Sequence, residues 1–384
     1  MKKIIKVLLG LLVGVGVGLL IGAGLFVLTN DGGLSAFFEK LASINGLEVL
    51  LLVGLMILWL VVSAVLQIII HEGGHLVAGL LMGYRFVSFR VFSLTLVRQD
   101  GRFRFRRFSI GGTGGQCLMA PPDKPLDRID TRWYNLGGVL ANLLVSGVAL
   151  TLFLVGDLPM WADTWMLMMT IIGVIYALLN GWPMKIGGIG NDGYNLMHLE
   201  KMPDDKRLLI QMLDCNARIQ EGLLPKDLPA TYFGPQGEID WSDGLQTNWQ
   251  MMVVARMENV RQCEEAYSLL SDGIKARGKM PDLFWMETAC EMVFVCLATG
   301  RKDEAQRLYT PSLQNYVKTY SRTQSSKQRI AFAVALLMME RRDEASQILD
   351  TLKTNRHEYL LQGEVEMDIE LMEALLSPNH RGLP

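Results

Sequence analysis

Long uncharged stretches alternate with short polar segments through the first half of the chain, and the second half is amphipathic. Residues 7–30, 49–70, 133–156 and 164–184 contain no Asp, Glu, Lys or Arg. Each stretch has about 20 residues or more, which is the length that an α-helix needs to cross a bilayer. The pattern predicts an α-helical polytopic membrane protein with about four transmembrane helices. From about residue 205 it predicts an all-α soluble domain.

The first stretch, within residues 1–30, is expected to be an N-terminal transmembrane helix that follows a basic start. Cleavage as a signal peptide is the alternative, although a signal peptide has a shorter apolar core and a small-residue cleavage site. Glycines recur at every fourth position and form a flat stripe on which another helix can pack. These glycines are Gly10, Gly14, Gly18 and Gly22.

Between the second and third stretches the chain becomes rich in aromatic, β-branched and arginine residues. Residues 85–92 read Arg-Phe-Val-Ser-Phe-Arg-Val-Phe, residues 102–106 alternate Arg with Phe, and Asp100-Gly101 lies between them. Asp-Gly between two such runs is a strong hairpin signal. We therefore expect a small β-hairpin or sheet over about 85–109. Its arginine face is either a solvated edge or an anchor to anionic lipid headgroups.

A glycine-rich run at 111–115 follows the predicted hairpin. It lacks the Gly-Lys-Ser/Thr ending of a phosphate-binding loop, which argues against nucleotide binding. We expect it to be a flexible return of the chain toward the membrane.

Charge and cysteine content limit the possible partners and compartments. The formal net charge is −2, so no basic excess indicates nucleic acid as a partner. Lysine and arginine concentrate at 1–6, 85–132 and beyond 185, and by the positive-inside rule both termini are cytoplasmic. The five cysteines show no Cys-x-x-Cys spacing, so we expect free thiols in a reducing compartment.

A candidate metal-binding motif follows directly after the second uncharged stretch, where the sequence reads His71-Glu72-Gly73-Gly74-His75. Residues four apart share one face of a helix, so the two imidazoles can bind one zinc ion while Glu72 acts as a general base. Ionisable groups at membrane depth are costly and usually functional. The alternative is a pair of helix-end histidines that cap carbonyl groups.

A third ligand is predicted where the fourth stretch ends. Pro183 should break the helix and release backbone groups, which membrane proteins tolerate only beside an enclosed cavity. Asp192 follows this break on the same side of the membrane as the histidines. Two histidines and one carboxylate, with water as fourth ligand, form a typical catalytic zinc set, although Asp192-Gly193 is also an ordinary turn sequence.

The soluble region contains an internal echo. The pairs Glu265-Ala266, Glu304-Ala305 and Glu344-Ala345 are 39 and 40 residues apart. A period near 40 in amphipathic helices predicts stacked helical hairpins similar to tetratricopeptide repeats, which generally bind a protein partner. A helical domain with accidental similarity is the alternative. We expect this domain, 205–384, to select the substrate or regulator without contributing to zinc chemistry.

Three elements in order make residues 47–200 resemble the site-2 protease family, the M50 class of intramembrane zinc metalloproteases. They are the His71–His75 motif, the run from Gly137-Gly138 to Asn142, and Asn180 to Pro183 leading to Asp192-Gly193. The resemblance implies a core of three transmembrane helices with Zn²⁺ on His71, His75 and Asp192, and Glu72 as base.

The resemblance also implies that Asn142, Asn180 and Pro183 support the substrate backbone or the transition state. It further implies that a membrane-associated β-hairpin presents the substrate. The chain departs from the family pattern in two places: the proline that usually follows the glycine of the third-span motif is absent, and the segment from Pro183 to Asp192 is longer, with Asn191 where leucine is frequent.

The expected function is hydrolysis of peptide bonds in membrane-embedded substrates by a multi-pass protein of a cytoplasmic membrane. The resemblance implies a bacterial source. Its partners would be a membrane protein or peptide substrate, the lipid bilayer and a cytoplasmic protein bound by the repeats. Two alternatives remain open. One is processing of exported peptides or signal-peptide remnants, and the other is a non-proteolytic membrane scaffold with a vestigial zinc site.

Overall fold

The structure is a computed structural model that describes residues 46–99, 101–108, 113–234 and 237–377. The predicted first transmembrane helix and its glycine stripe lie outside the described residues. The described part contains three helices that are long and apolar enough to cross a membrane. The expectation of a polytopic membrane protein is therefore supported for three of the four predicted spans.

The three membrane helices are α1 (Gly46–Leu81), α2 (Arg132–Val155) and α3 (Met160–Gly181). They pack against one another and leave many leucine and valine side chains exposed on the outside, as lipid-facing helices do. α1 and α2 come into backbone contact at paired glycines. A Cβ on Gly137 would lie 2.5 Å from the carbonyl oxygen of Gly74, so larger residues would force these helices apart at this level.

The segment between α1 and α2 forms a four-stranded antiparallel sheet, which is larger than a single hairpin. Its strands are β1 (Arg85–Val91), β2 (Leu94–Gln99), β3 (Arg102–Arg107) and β4 (Gly115–Ala120). The strand order is β3-β2-β1-β4. The expected flexible return at 111–115 is wrong at its end, because Gly115 begins β4 and pairs with Val91.

The two faces of the sheet have different neighbours. On one face, Phe89, Cys117 and Met119 pack with Tyr84 and Leu76 beside the end of α1. The opposite face packs against the soluble region, where Val97 forms a small core with Phe108 and Leu360, and Leu118 and Ala120 form another with Ala217. The sheet therefore lies between the membrane helices and the soluble helices.

Strand β3 forms one edge of this sheet and presents alternating chemistry. Phe103 and Phe105 are both 65% exposed, and the arginines alternate with them on the opposite side of the strand. Register places Phe105 beside Leu96, on the face that continues to Phe89 and the membrane helices. The arginines therefore lie on the face of Val97, toward the soluble region, while the aromatic rings lie on the face of the membrane helices. This register does not favour an anchor to headgroups through the arginine face, and the anchor stays a prediction.

After α3 the chain forms a small hairpin and then enters the soluble region. The hairpin consists of β5 (Lys185–Ile186) and β6 (Ile189–Gly190), and α4 (Asp192–His198) and α5 (Pro203–Gln220) follow it. The remaining helices are α6 (Gly244–Asn259), α7 (Cys263–Lys275), α8 (Asp282–Ala298), α9 (Lys302–Leu308), α10 (Pro311–Tyr320), α11 (Ser325–Ala333), α12 (Arg342–Asn355) and α13 (Gln362–Leu376).

The internal echo corresponds to three helical hairpins: α6 with α7, α8 with α9, and α11 with α12. Each hairpin turns through a residue with positive φ, and the buried alanine of the Glu-Ala pair follows five positions later. The turn residues are Arg261, Gly300 and Glu340, and the alanines are Ala266, Ala305 and Ala345, each 0% exposed. Equivalent backbone turns and equivalent buried positions mean that the sequence echo is a structural repeat.

The five cysteines, Cys117, Cys215, Cys263, Cys290 and Cys296, are all buried and free. Burial raises the pKa of the Cys215 and Cys263 thiols to about 12, so these groups stay protonated and unreactive. The prediction of free thiols is confirmed, and their reducing compartment stays a prediction.

Candidate metal centre

Helix α1 continues without interruption through the histidine motif, so His71 and His75 lie one turn apart on the same face. Their Nε2 atoms are 3.1 Å apart, and both side chains are buried. The predicted pairing of the two imidazoles is therefore present. It follows from local helical geometry alone.

Asp192 reaches the same point from a distant part of the chain. Its Oδ2 lies 3.0 Å from His71 Nε2 and 3.3 Å from His75 Nε2. Asp192 is the first residue of α4, where its neighbour Gly193 packs against the backbone at the end of α3. A Cβ on Gly193 would lie 2.0 Å from the carbonyl oxygen of Gly181, so only glycine allows this close approach. The structure thus brings together all three predicted ligands.

Asn191 holds the segment between Pro183 and Asp192 in shape. Helix α3 ends at Gly181, as the proline predicts. Asn191 accepts hydrogen bonds from the N–H groups of Met184 and Tyr194, and donates to the carbonyls of Leu179 and Trp182. One amide therefore caps α4 and also satisfies carbonyl groups at the broken end of α3. These four hydrogen bonds account for an asparagine at position 191.

The other ring nitrogen of each histidine has its own acceptor. His71 Nδ1 lies 2.7 Å from Asn142 Oδ1, and His75 Nδ1 lies 2.6 Å from the carbonyl oxygen of Tyr134. A carbonyl oxygen accepts only, so His75 carries its proton on Nδ1. Asn142 donates its own N–H groups to Gln67, which leaves its oxygen to accept from His71. In the neutral imidazoles, both Nε2 atoms therefore present lone pairs.

Three lone-pair atoms thus converge on one point. Asp192 Oδ2 is buried and has no hydrogen-bond donor among the described residues. Either a proton on one imidazole or a cation must lie between these atoms, because otherwise they repel one another. Separations of 3.0–3.3 Å are close to the roughly 3.3 Å between neighbouring ligands of a tetrahedral zinc with bonds of about 2.0–2.1 Å. The donor set therefore fits zinc.

Asn142 belongs to a buried polar chain that links the three membrane helices. It is 0% exposed and donates to both the backbone and side-chain oxygens of Gln67. Gln67 in turn donates to the carbonyl of Met169 on α3 at 2.9 Å. A Cβ on Gly173 would lie 2.4 Å from the Gln67 amide nitrogen, so glycine leaves room for it. Gln67 was not predicted from the sequence, although it is the lone amide in the uncharged stretch 49–70.

Glycine also makes space directly at the centre. A Cβ on Gly138 of α2 would lie 2.6 Å from both His71 Cε1 and His75 Nε2. No side chain fits there beside the two imidazoles. Gly138 therefore lets α2 approach the ligands closely, and it leaves their Nε2 atoms accessible to a metal ion.

The carboxylate of Glu72 lies against the sheet. It is 9% exposed, and the backbone of Cys117 on β4 forms a hydrogen bond with it. A Cβ on Gly115, the first residue of β4, would lie 2.5 Å from Glu72 Oε1. The beginning of β4 is therefore the part of the sheet nearest to the predicted base, a contact that the sequence analysis did not anticipate.

Asn180 and Pro183 lie at the end of α3, outside this immediate cluster. The Asn180 amide donates to the carbonyl of Tyr176 one turn earlier, at 2.9 Å. The backbone of Asn180 faces Gly193, next to the predicted ligand Asp192. Their predicted role toward the substrate stays a prediction. By contrast, the amide of Asn142 is committed to His71 and Gln67, which gives this residue a positioning role.

Comparisons with protein-family models, curated proteins and solved structures found no match for this chain. The class of protein to which the fold and site belong is therefore inferred from the donor chemistry and its surroundings.

Proposed function

We propose that this protein is an intramembrane zinc metalloprotease that hydrolyses peptide bonds of membrane-embedded substrates. The observation that carries the proposal is the convergence of three lone-pair atoms: those of His71 and His75 on α1, a helix of membrane-spanning character, and that of Asp192 at the start of α4. Glu72 lies on the same helix, in the position that a general base requires. A zinc hydrolase needs a set of metal ligands and a general base, and here these are two histidines with one aspartate, and the carboxylate of Glu72.

Each residue has a separate role in this proposal. His71, His75 and Asp192 hold the zinc ion, which supplies Lewis acidity to a water molecule and to the peptide carbonyl when bound. Glu72 accepts the proton of the attacking water and passes it to the departing amine. Asn142 fixes the ring of His71, so that its Nε2 lone pair stays directed at the metal.

Strand β4 supplies a route by which a substrate reaches the base. It is an edge strand of the described sheet, and its first residue lies against Glu72. A helical substrate hides its peptide bonds in i to i−4 hydrogen bonds, so it must unwind before hydrolysis. An unwound segment can pair with the free edge of β4 as an additional strand. The scissile bond would then lie next to Glu72.

We place the protein in a cytoplasmic membrane with both termini in the cytoplasm, following the distribution of lysine and arginine. In this orientation the histidine motif lies toward the cytoplasmic end of α1. The sheet and the soluble helices then lie on the cytoplasmic side, where cleavage releases a soluble fragment. Substrates are accordingly membrane proteins with a cytoplasmic portion.

The proposal is tested by membrane proteomics that compares cells expressing the wild-type protein with cells expressing Glu72→Gln. We expect transmembrane precursors to accumulate in the variant while their cytoplasmic fragments disappear. Glu265→Gln, which makes the same chemical change on an exposed surface of α7, serves as the matched control. Identical fragment profiles in wild type and Glu72→Gln would exclude proteolysis.

A further inference from the structure

A cavity of about 460 Å³ lies between the sheet and the soluble helices. Its volume is within the range of about 300–1,000 Å³ that is typical of ligand sites. One wall consists of β1, the beginning of β4 and the β5–β6 hairpin. The opposite wall consists of α6, α8, α10, α11 and α13. The first helix of each of the three hairpins, together with α10 and α13, thus lines one side of a partly open cavity.

This cavity is immediately next to the candidate metal centre. Gly115 lines it and also touches the carboxylate of Glu72. Ile189 lines it as well, on the hairpin that leads to Asp192. Two of the elements that carry or contact the proposed catalytic groups therefore form the membrane-side wall. A chain that extended along β4 from the position beside Glu72 would enter this space.

The helical wall is acidic and aromatic. Tyr316, Tyr320, Glu287 and Glu364 all line the cavity. Glu287 accepts hydrogen bonds from Tyr316 at 2.5 Å and from the buried Lys327 at 2.6 Å. Carboxylates next to tyrosine rings provide the surroundings that a lysine or arginine side chain prefers, because the carboxylate and the ring face both attract a cation.

Behind this wall, carboxyl groups outnumber cations. Arg329, 1% exposed, forms ion pairs with three of them: Glu258 at 2.9 Å, Glu291 at 2.6 Å and Asp368 at 2.6 Å. With Glu287 and Glu364, five carboxyl groups thus surround Arg329 and Lys327. Burial raises the pKa of Glu364 to about 7 and that of Glu258 well above its ordinary value, so these two carboxyl groups hold protons near neutral pH. An additional cation in the cavity would favour their ionised form, whereas an anion would oppose it.

A buried donor on the opposite wall indicates what else the occupant offers. Arg90 is 2% exposed, and its two terminal nitrogens donate to Phe92, Thr113 and Gly115. Its Nε–H has no acceptor among the described residues, although Arg90 lines the cavity. A buried N–H without a partner is costly and is satisfied by a carbonyl oxygen. Polypeptide backbone is a ligand that supplies such an oxygen together with a cationic side chain.

We propose that this cavity binds an extended peptide segment that carries a lysine or arginine side chain. The segment is the cytoplasmic, membrane-proximal part of the substrate, with the basic side chain toward Glu287 and Glu364 and a backbone carbonyl toward Arg90. Membrane proteins are enriched in lysine and arginine at this position. The inference deepens the proposed function and depends on it for the identity of the occupant. In this arrangement the helical repeats contact the substrate next to the catalytic site and select for its basic side chain.

The test measures peptide binding to the full-length protein that carries Glu72→Gln, so that turnover does not interfere. The probes are two fluorescein-labelled Gly/Ser decapeptides, one with two central lysines and the other with two glutamines in their place. Fluorescence anisotropy in detergent should give at least tenfold tighter binding of the lysine peptide. The preference should shrink in 1 M salt, where charges are screened within about 3 Å.

Asn248 allows the sign of the charge to be varied without disturbing buried groups, because it lines the cavity yet is exposed. We expect Asn248→Lys to weaken binding of the lysine peptide by about threefold to tenfold and Asn248→Glu to strengthen it by a similar factor. Asn315, exposed on α10 and absent from the lining, provides the matched control, at which neither charge should matter.

Two results would overturn the inference: equal affinity for the lysine and glutamine peptides, or a change in the same direction for both Asn248 variants. Because this experiment does not depend on turnover, its failure leaves the proposed function intact. Unchanged fragments in Glu72→Gln membranes would instead remove the proposed function and, with it, the assignment of the occupant as substrate.

Discussion

The backbone N–H of Gly244 donates a 2.9 Å hydrogen bond to the carbonyl oxygen of Gly188. This bond joins the first repeat helix, α6, to the hairpin that precedes the ligand Asp192. An ion pair of 2.5 Å between Lys185 and Asp243 reinforces the same contact. The soluble helices are therefore attached to the segment that positions the carboxylate of the candidate metal centre.

The first prediction is that Gly244→Ala weakens zinc binding. A Cβ at this position would lie 2.8 Å from the carbonyl carbon and oxygen of Gly188, so the hairpin must shift. We expect at least a tenfold loss of zinc affinity, measured by competition with a chelator, because a displaced carboxylate no longer reaches the imidazoles. Gly278→Ala is the control, since its Cβ meets nothing within 4 Å. Equal zinc affinity in wild type and Gly244→Ala would show that the attachment does not matter.

The second prediction separates the base from the ligands. Glu72→Gln should retain zinc at wild-type stoichiometry and lose at least about a thousandfold in turnover, since an amide cannot accept the proton of the attacking water. Zinc content by mass spectrometry and peptide hydrolysis should be measured on the same purified sample. Asp192→Asn, by contrast, should lower the zinc content of the purified protein, and turnover should fall because the zinc is lost. Near-wild-type turnover of Glu72→Gln would place the base elsewhere.

The third prediction concerns Asn142. Its Oδ1 lies 2.7 Å from His71 Nδ1, so Asn142→Leu leaves that N–H without an acceptor. Loss of such a partner typically lowers metal affinity by about 10–100-fold. Asn180→Leu is the matched comparison, because the Asn180 amide bonds within its own helix. It should lower turnover while zinc affinity stays unchanged. The opposite ranking of the two variants in zinc affinity would contradict the positioning role.

The fourth prediction is steric. Gly138→Ala would place a methyl group 2.6 Å from His75 Nε2, on the metal-facing atom of the ligand. We expect zinc to be lost from the purified protein while the membrane helices remain assembled, as judged by helical circular dichroism. Gly54→Ala on α1 is the control, since a Cβ there meets nothing within 4 Å. Full zinc occupancy in Gly138→Ala would show that the ion is bound elsewhere.

The fifth prediction concerns the stability of the soluble region. Burial, with the neighbouring Asp368, raises the pKa of Glu364 to about 7 from an ordinary value of 4.5. A carboxyl whose pKa is higher in the folded state favours folding when protonated, and this contribution is lost as the pH rises from about 4.5 to 7. Glu364→Gln should therefore stabilise the domain at pH 8 and have little effect at pH 4.5.

The gain at pH 8 is at most about 3 kcal/mol, from about 1.4 kcal/mol for each unit of pKa. Amide hydrogen exchange of α13 in the full-length protein measures it, with Glu373→Gln on the exposed side of the same helix as control. A pH-independent difference between wild type and Glu364→Gln would contradict the raised pKa.

Properties that depend on local spacing could be predicted from the sequence. The i, i+4 interval places His71 and His75 on one helical face whatever the rest of the chain does. The lengths of the uncharged stretches predicted the three described membrane helices, and Pro183 predicted the end of α3. The Glu-Ala echo predicted helical hairpins, and the described structure has three at these positions, each with its alanine buried. In each case the signal is a periodicity or a backbone constraint within a few turns of chain.

Tertiary structure alone decided what these elements meet. A β-hairpin or small sheet was expected over about 85–109, but the sheet has four strands and extends to Ala120, because β4 pairs with β1. Gly115 of β4 also approaches Glu72 where a side chain could not. The hydrogen bond between His71 and Asn142 forms only because α1 and α2 approach each other closely at paired glycines. The cavity between the sheet and the repeats exists only because distant segments pack together. Such contacts depend on the angles between packed elements, and these angles are not encoded in the spacing of any one segment.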